Sequence, residues 1–569
     1  MTFRHGARMG ADVKAEGADG ARGGPAGGDR PAGRRWWIAV ALAWLATLGV
    51  SLALATYTLD DSWITYRYAR NLVEGHGLKW NPTDDHAFEA YTSFSHVLLT
   101  AGMQALGIDP SAGSKILGMG FNLLLLILLA RFARRSGIPF PVFAGLAATI
   151  ATTHLFGFHA VTGMDTFLYI AVLALATILL FGILRTGEGL AAFCLTLTVG
   201  ALTRPDCAVL FAGYLLIVWF LRPALRRPLL KRLVLLTLLP GALYAAFKFA
   251  YFGALLPNSF HFKASAVTGF LPGRVYVRVF ALTYLLVPFL FSVWLWRTKR
   301  LAREEFWTLA ALSAALLFYL DIQPKVGVGY RFLVPLLPSF LLVLSLPAGR
   351  LWAGGARRPV GAYLAVVALA GALASALAWK DLLAYLAPRE INPAIGRALA
   401  GLPGAESRVL VTGEAGAIPY YSRMRHLDLL GLVSKAGSRS MTDASWVFAE
   451  DPEILVTHSI VVQPAGADGR FELDREVAAR VLAKPANSTP YLSYRILSRP
   501  EAARFRLLWK IPARMQPKPN DYYYVFVRDT SDLLPRLAGR APNVYGTTIT
   551  PHSEESAESG SAGPGPSRP

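Results

Sequence analysis

Two adjacent carboxylates, Asp60 and Asp61, begin a polar stretch that follows a long apolar run, and they are the residues of this sequence best placed for acid–base chemistry. Neighbouring carboxylates repel, and a cation, a proton or a substrate is needed to relieve them. Such a group can take the proton of an attacking hydroxyl. A plainer account makes one of them the N-cap of the helix that starts here, which explains one Asp better than two. Arg67, on the same helix, is a candidate for binding substrate. Further candidates are Asp165 in Gly163-Met164-Asp165-Thr166, Arg204 in Thr203-Arg204-Pro205-Asp206, and Asn258, His261 and Lys263 in Pro257-Asn258-Ser259-Phe260-His261-Phe262-Lys263. Lys325 and Arg331 flank Val326-Gly327-Val328-Gly329-Tyr330. Arg and Lys stabilise the charge on a departing phosphate, so acids and cations gathered together suit a reaction on a lipid phosphate. Plainer accounts exist here too: Arg204 can pair with Asp206 across a turn, and aromatics with a snorkelling Lys263 can anchor a loop at a membrane surface. His261 has no partner at metal-ligand spacing, and Cys194 and Cys207 are the only cysteines. Neither a metal centre nor a disulfide framework is expected.

The elements that must position these residues are mostly apolar. The chain has 569 residues, of which 54% are hydrophobic and 17% charged, the balance of a membrane protein. Its net charge of +20 lies largely in short loops between apolar runs. That is the positive-inside pattern rather than a basic face for phosphates, so no nucleic-acid partner is expected. A helix crosses the hydrocarbon core in about 20 residues. Runs near that length lie at 36–56, 112–132, 140–158, 165–184, 189–203, 207–221, 233–252, 274–296, 307–320, 332–348 and 360–379. Tyr91–Leu106 is apolar as well but carries Thr92, Ser93, Ser95, His96, Thr100 and Gln104. Counted as a span, it would put the basic cluster Arg131/Arg134/Arg135 on the outer side. Read as an interfacial helix, it leaves every basic cluster cytoplasmic. About eleven crossings result, with a disordered cytoplasmic leader over 1–35 and the chain after about Trp379 on the opposite side. All the candidate acids and cations then fall on that outer side. Ile64, Tyr68 and Leu72 recur at helical spacing there, which predicts an amphipathic helix lying along the membrane.

The predicted transmembrane domain covers 36–379. Composition changes after it, and 380–535 reads as a soluble α/β domain. Strand-like runs lie at Arg408–Thr412, Ile454–Val462, Tyr491–Leu497, Phe505–Trp509 and Tyr522–Arg528, with helical stretches at Asn392–Leu402 and Arg475–Leu482. Gly413-Glu414-Ala415-Gly416 lacks the three-glycine spacing of a dinucleotide site and reads as a turn. The tail over 546–569, rich in Ser, Gly, Glu and Pro, is expected to be disordered.

These features resemble the GT-C membrane glycosyltransferases, which are polytopic all-α proteins with an acidic pair closing the first span and interfacial helices in a long first outer loop. Within them, Asp60-Asp61-Ser62-Trp63-Ile64-Thr65-Tyr66-Arg67-Tyr68-Ala69-Arg70-Asn71-Leu72 is similar to the branch that contains the arabinofuranosyltransferase AftB. So are Gly163-Met164-Asp165-Thr166, Leu202-Thr203-Arg204-Pro205-Asp206, Leu256-Pro257-Asn258-Ser259-Phe260, Arg331-Phe332-Leu333-Val334-Pro335 and Gly413-Glu414-Ala415-Gly416-Ala417-Ile418-Pro419. Asp165 stands where that branch more often has Glu. The resemblance implies an enzyme of a bacterial cytoplasmic membrane that inverts the sugar, arabinofuranose in the nearest branch, as it moves it from a polyprenyl-phosphate donor to an envelope glycan or lipid acceptor. Asp60 or Asp61 would be the base. No cofactor is required by that chemistry, although the acidic pair leaves room for a divalent cation. Two other readings stay open. One is a transporter of lipid-linked saccharides, which would place ionisable residues near the midplane of its spans. The other is a ligase or polymerase acting on a lipid diphosphate.

Overall fold

The structure is a computed structural model that describes residues 30–259, 273–320, 328–386, 391–433, 445–458, 460–464, 469–483, 489–513, 522–540, 542–544 and 547–549. His261, Lys263 and Lys325, with residues 1–29 of the leader and 550–569 of the tail, lie outside the described residues, whereas 30–35, expected to be disordered, begin the first helix.

Long apolar runs can bury every backbone polar group only by becoming helices, and in this chain they do. In order they are α1 (Arg30–Ala53), α2 (Asp60–Val73), α3 (Phe94–Ala105), α4 (Pro110–Arg135), α5 (Phe140–Thr152), α6 (His154–Val161), α7 (Thr166–Thr186), α8 (Leu190–Thr203) and α9 (Pro205–Leu221). They continue with α10 (Pro223–Phe252), α11 (Gly273–Arg297), α12 (Arg303–Leu317), α13 (Val328–Ala353) and α14 (Arg357–Leu386). Seven of them, α1, α4, α7, α10, α11, α13 and α14, are long and apolar enough to cross a membrane, and α5 with α6, bent by 57°, makes an eighth. α8 and α12 have 14 and 15 residues. At about 1.5 Å per residue each falls short of a hydrocarbon core of about 30 Å. Each of the eleven apolar runs therefore lies on a helix, but not every one of those helices is a full span by length.

The helices are unequal in their surroundings. From Arg331 to Gly349 every residue of α13 is buried, so this helix is the post around which the others pack. Its Ser339 hydroxyl takes a hydrogen bond at 3.0 Å from Thr177, which also meets the Tyr214 hydroxyl at 2.7 Å. In α10, by contrast, only 6% of the apolar window is buried. Lipid is as apolar as a protein core, so such a helix gains nothing by turning inward.

α2 and α3 lie against one another at one end of the bundle. α3 has 12 residues, too short to cross. Ser93 caps it by accepting from the His96 N–H at 3.3 Å, and Gln104 near its far end donates to the Tyr66 carbonyl at 3.0 Å. Ile64 and Tyr68 are buried as their spacing predicts, in a cluster with Val97, Ala101 and Trp80. Arg67 and Asn71 are buried as well, because a second domain covers what would otherwise be the polar face.

That domain contains α15 (Ile391–Ala398), β1 (Val409–Thr412), α16 (Ala417–Ser422), β2 (Arg425–Asp428), β3 (Ile454–His458), β4 (Val462–Pro464), β5 (Phe471–Leu473), α17 (Arg475–Leu482), α18 (Thr489–Leu497), β6 (Phe505–Pro512) and β7 (Tyr522–Arg528). Its main sheet has the order β2-β1-β3-β7-β6, with β1 parallel to β2 and β3, and β7 antiparallel to β3 and β6. Alternate strand residues feed opposite cores: Leu410, Ile454 and Val525 on one face, Val411, Leu455 and Phe526 on the other. Two sequence expectations need correction. Tyr491–Leu497 forms α18 rather than a strand, since Tyr491, Leu492, Tyr494, Ile496 and Leu497 all pack into one core while Arg495 points out. Ile454–Val462 is broken into β3 and β4, and β4 pairs with β5 in a separate ribbon.

Candidate active site

α2 begins at the acidic pair, and the structure sends the two carboxylates in different directions. Leu59 occupies the N-cap, and neither Asp caps its own helix. The N-cap account is thus replaced by another arrangement. Asp60 accepts the backbone N–H of Ala417 at 3.0 Å and the side-chain amide of Asn392 at 3.1 Å. Ala417 is the first residue of α16, so Asp60 satisfies an orphan N–H of a helix more than three hundred residues away. Burial, followed by the nearby Glu414 charge, raises the Asp60 carboxyl to about 7. Asp61 faces the bundle instead. Its Oδ2 lies 3.0 Å from Arg331 Nη1, and its side chain remains 35% exposed.

The ground beneath this pair is fixed by the loop ahead of α7. Leu59 N–H and the Ser62 hydroxyl both donate to the Thr162 carbonyl, each at 2.9 Å, and the Tyr66 hydroxyl donates to the Gly163 carbonyl at 3.0 Å. Gly163 has φ 77°, and a Cβ there would fall 2.4 Å from the Tyr66 hydroxyl, so only glycine suits the position. Asp165, two residues on, is buried within electrostatic reach of His96 and Arg204. His159 Nε2 meets the Gly329 carbonyl at 2.6 Å, tying the same loop to the turn that carries Arg331.

Arg331 and Arg204 are brought together by one aromatic ring. Their guanidinium carbons lie 5.1 Å and 4.6 Å from the Phe332 ring centre. Arg204 also grips Asp206 through two bonds, at 3.1 and 2.7 Å, and Tyr319 donates its hydroxyl to the same carboxylate. The plainer account of Arg204, a pair across the turn, is therefore what the fold contains. Arg331 Nε has no hydrogen-bond partner among the described residues and is buried beside the exposed Asp61 carboxylate.

Arg67 does not join the site. Its guanidinium donates to the carbonyls of Trp80, Pro419 and Met424 and to Asn81 Oδ1, and it lies over the Trp80 ring at 4.6 Å. With its donors committed to three carbonyls and the Asn81 side chain, it is a strut between α2 and the sheet domain rather than a substrate ligand. Arg70 donates to the Tyr420 carbonyl at 2.7 Å, and Trp80 to His426 Nδ1 at 3.2 Å, along the same seam. Asn258 is placed by its backbone, whose N–H donates to the Glu89 carbonyl at 2.8 Å.

Sequence reasoning passed over several polar residues that the fold brings close. Glu89 and Lys248 form a buried pair at 2.6 Å, with the Tyr244 hydroxyl 3.3 Å from the same carboxylate. A lysine inside the apolar run at 233–252 was the available signal, because a charge near a span's end needs a partner. Asn392 carried no local signal, and Glu414 and His96 stood in stretches already singled out but not as members of a site. Among the described residues, no group of His, Cys, Asp or Glu side chains converges in a way that could hold a metal ion.

The arrangement of helices is that of a known class of membrane protein. The chain is similar to the crystal structure of ArnT from Cupriavidus metallidurans bound to undecaprenyl phosphate, with a TM-score of 0.53 and 14% identity, over 88% of this chain and 99% of that one. The apo form of the same protein gives a TM-score of 0.49 and 13% identity, over 78% and 97% of the two chains. An ArnT-like polytopic membrane fold is therefore the class to which the architecture belongs. Residues 385–525 match the model of a domain of unknown function, DUF8728, which covers most of the sheet domain. No curated protein matches the chain in sequence.

Proposed function

We propose that the chain is a membrane glycosyltransferase that moves a sugar from a polyprenyl-phosphate donor to an acceptor hydroxyl. The observation that carries this reading is the Asp61–Arg331 pair, an accessible carboxylate 3.0 Å from a buried cation at the end of a membrane bundle. The ArnT likeness supports it at the level of fold, and that protein's structure holds undecaprenyl phosphate. Asp61 takes the proton of the acceptor hydroxyl as the oxygen attacks the anomeric carbon. The bond to the phosphate oxygen breaks on the opposite face, which inverts the sugar. Arg331 receives the developing phosphate charge. A donor phosphate that engages Arg331 also draws it away from Asp61, so the base is released as the donor binds. Asp165 and Arg204 line the same end of the bundle, and His261, Lys263 and Lys325 are further candidates for the phosphate.

In the finer reading the sugar is arabinofuranose, the acceptor is an envelope glycan or lipid, and the membrane is a bacterial cytoplasmic membrane. The N-terminus is cytoplasmic, an odd number of crossings follows, eleven with the short α8 and α12 counted, and the sheet domain is outside. A reporter fused after Arg135 tests the topology by appearing on the cytoplasmic side. The chemistry is tested by transfer from undecaprenyl-phosphate arabinofuranose in proteoliposomes. Release of undecaprenyl phosphate with a new glycosidic bond is the expected result, and full activity of the Asp61→Asn variant overturns it.

A further inference from the structure

The seam between α2 and the sheet domain holds a polar cluster that this chemistry leaves unused. The Asn392 amide that donates to Asp60 Oδ1 at 3.1 Å also reaches Glu414 Oε2 at 3.4 Å. Glu414 Oε1 in turn lies 3.7 Å from His458 Nδ1 at the end of β3. Asn392 is only 6% exposed, and its Oδ1 has no partner among the described residues. The backbone leaves no slack. A Cβ on Gly416 would fall 2.1 Å from Asp60 Oδ2 and 2.4 Å from the Asp60 carbonyl.

One amide thus bridges two carboxylates. A neutral donor does not cancel two negative charges, so the pair is relieved when one member keeps a proton. Asp60 is the member that keeps it. Burial and the Glu414 charge favour its neutral form against the bonds from Ala417 and Asn392. Glu414 is partly exposed and has His458 on its other side. Among the described residues, the groups that face Asp60 are Asp61 on its own helix, Glu414 after β1, the Asn392 amide from α15 and the Ala417 N–H from α16. The Asp61 charge is itself paired with Arg331.

We propose that Asp60, Asn392, Glu414 and Gly416 are positioning residues, which fasten the first turn of α2 to the sheet domain through a proton held across the seam and so aim Asp61 at Arg331. The contacts across the seam are given by geometry, and their catalytic consequence rests on the transferase reading. Asp60 then touches no substrate, and an uncharged residue of the same shape serves in its place.

The test uses the full-length chain in nanodiscs and has two readouts. The first is hydrogen exchange over 60–73, corrected for the intrinsic pH dependence of exchange, at pH 6 and pH 8.5. Wild type is expected to exchange faster at the higher pH by about threefold or more, as local opening becomes easier. Asp60→Asn and Glu414→Gln flatten that dependence, and Gly416→Ala raises exchange at both pH values. The second readout is transfer from undecaprenyl-phosphate arabinofuranose. Asp60→Asn is expected to lose less than about tenfold in kcat with its donor KM retained, whereas Asp61→Asn loses about a hundredfold or more. Exchange that is independent of pH in wild type, or that Gly416→Ala leaves unaltered, overturns the seam. Equal losses in the two Asp variants overturn the positioning role and make Asp60 a base. Absence of transfer by wild type counts against the transferase reading, while the exchange data still decide the seam.

Discussion

Asp61 and Arg331 stand 270 positions apart in the chain and meet at 3.0 Å, the carboxylate open to its surroundings and the guanidinium buried. This asymmetry assigns different duties to the two side chains, and their variants are expected to fail differently. Asp61→Asn removes a proton acceptor and should lower kcat by about two to three orders of magnitude with little change in donor KM. Arg331→Ala should raise the donor KM as well as lower kcat. Arg331→Lys should recover part of the charge but not the planar fork. Initial rates over a range of donor concentrations separate the two patterns.

Arg67 makes a prediction about stability rather than rate. Its removal strands the Trp80, Pro419 and Met424 carbonyls in a buried seam, each at a cost of about 1–3 kcal/mol. Arg67→Ala should therefore lower the thermal midpoint of the detergent-solubilised protein sharply. Arg67→Lys should recover little, since a single ammonium cannot reach carbonyls on three sides. An unchanged midpoint would remove Arg67 from the seam.

The Asp60 and Asp428 carboxyls should draw stability down as pH rises from 5 to 8. Asp60 and Asp428 have carboxyls raised by burial to about 7 and about 6, Asp428 despite accepting the N–H groups of Leu430, Leu432 and Val433. A raised acid binds more protons folded than unfolded. Its contribution is complete below the unfolded value near 4 and is lost as pH climbs through the folded one. His426, buried and lowered to about 3, works in the opposite sense: its contribution is present above the unfolded value near 6.5 and is lost as pH falls toward 3. Between pH 5 and 8 the carboxyls and the imidazole therefore act in opposite senses. Intrinsic fluorescence during thermal unfolding at several pH values isolates the Asp60 part by difference: between pH 5 and 8 Asp60→Asn should lose less stability than wild type.

Glu89 and Lys248 should behave as a unit. Lys248→Met leaves a buried carboxylate without its cation and should cost about 3–5 kcal/mol, whereas Glu89→Gln combined with Lys248→Met should restore much of that loss. Thermal midpoints of the two single variants and the double variant complete the cycle.

The membrane helices were legible because a run of apolar residues has few other ways to satisfy its backbone. The sheet was legible where strands are apolar, as in Val409–Thr412 and Tyr522–Arg528, and hidden at Arg425-His426-Leu427-Asp428, where His426 is buried against distant Trp80 and Asp428 against the turn that follows it. Tyr491–Leu497 misled because a short apolar run does not reveal its period. The acidic pair was visible at once, but its division of labour was not. Successive residues on a helix point about 100° apart, so neighbours in sequence can serve opposite sides of a seam. Arg331 and Ala417, which distinguish them, lie hundreds of residues downstream.

Arg331 stands at the head of α13, whose apolar window is buried throughout, while Asp61 rides on a helix clamped to the sheet domain. The space between base and cation is thus like the opening of a caliper, set by the frame rather than by its tips. A change of sugar size or leaving group need not touch either tip. Altering how α13 seats in the bundle, or how α16 seats on α2, would reset the opening and leave the chemical groups as they are.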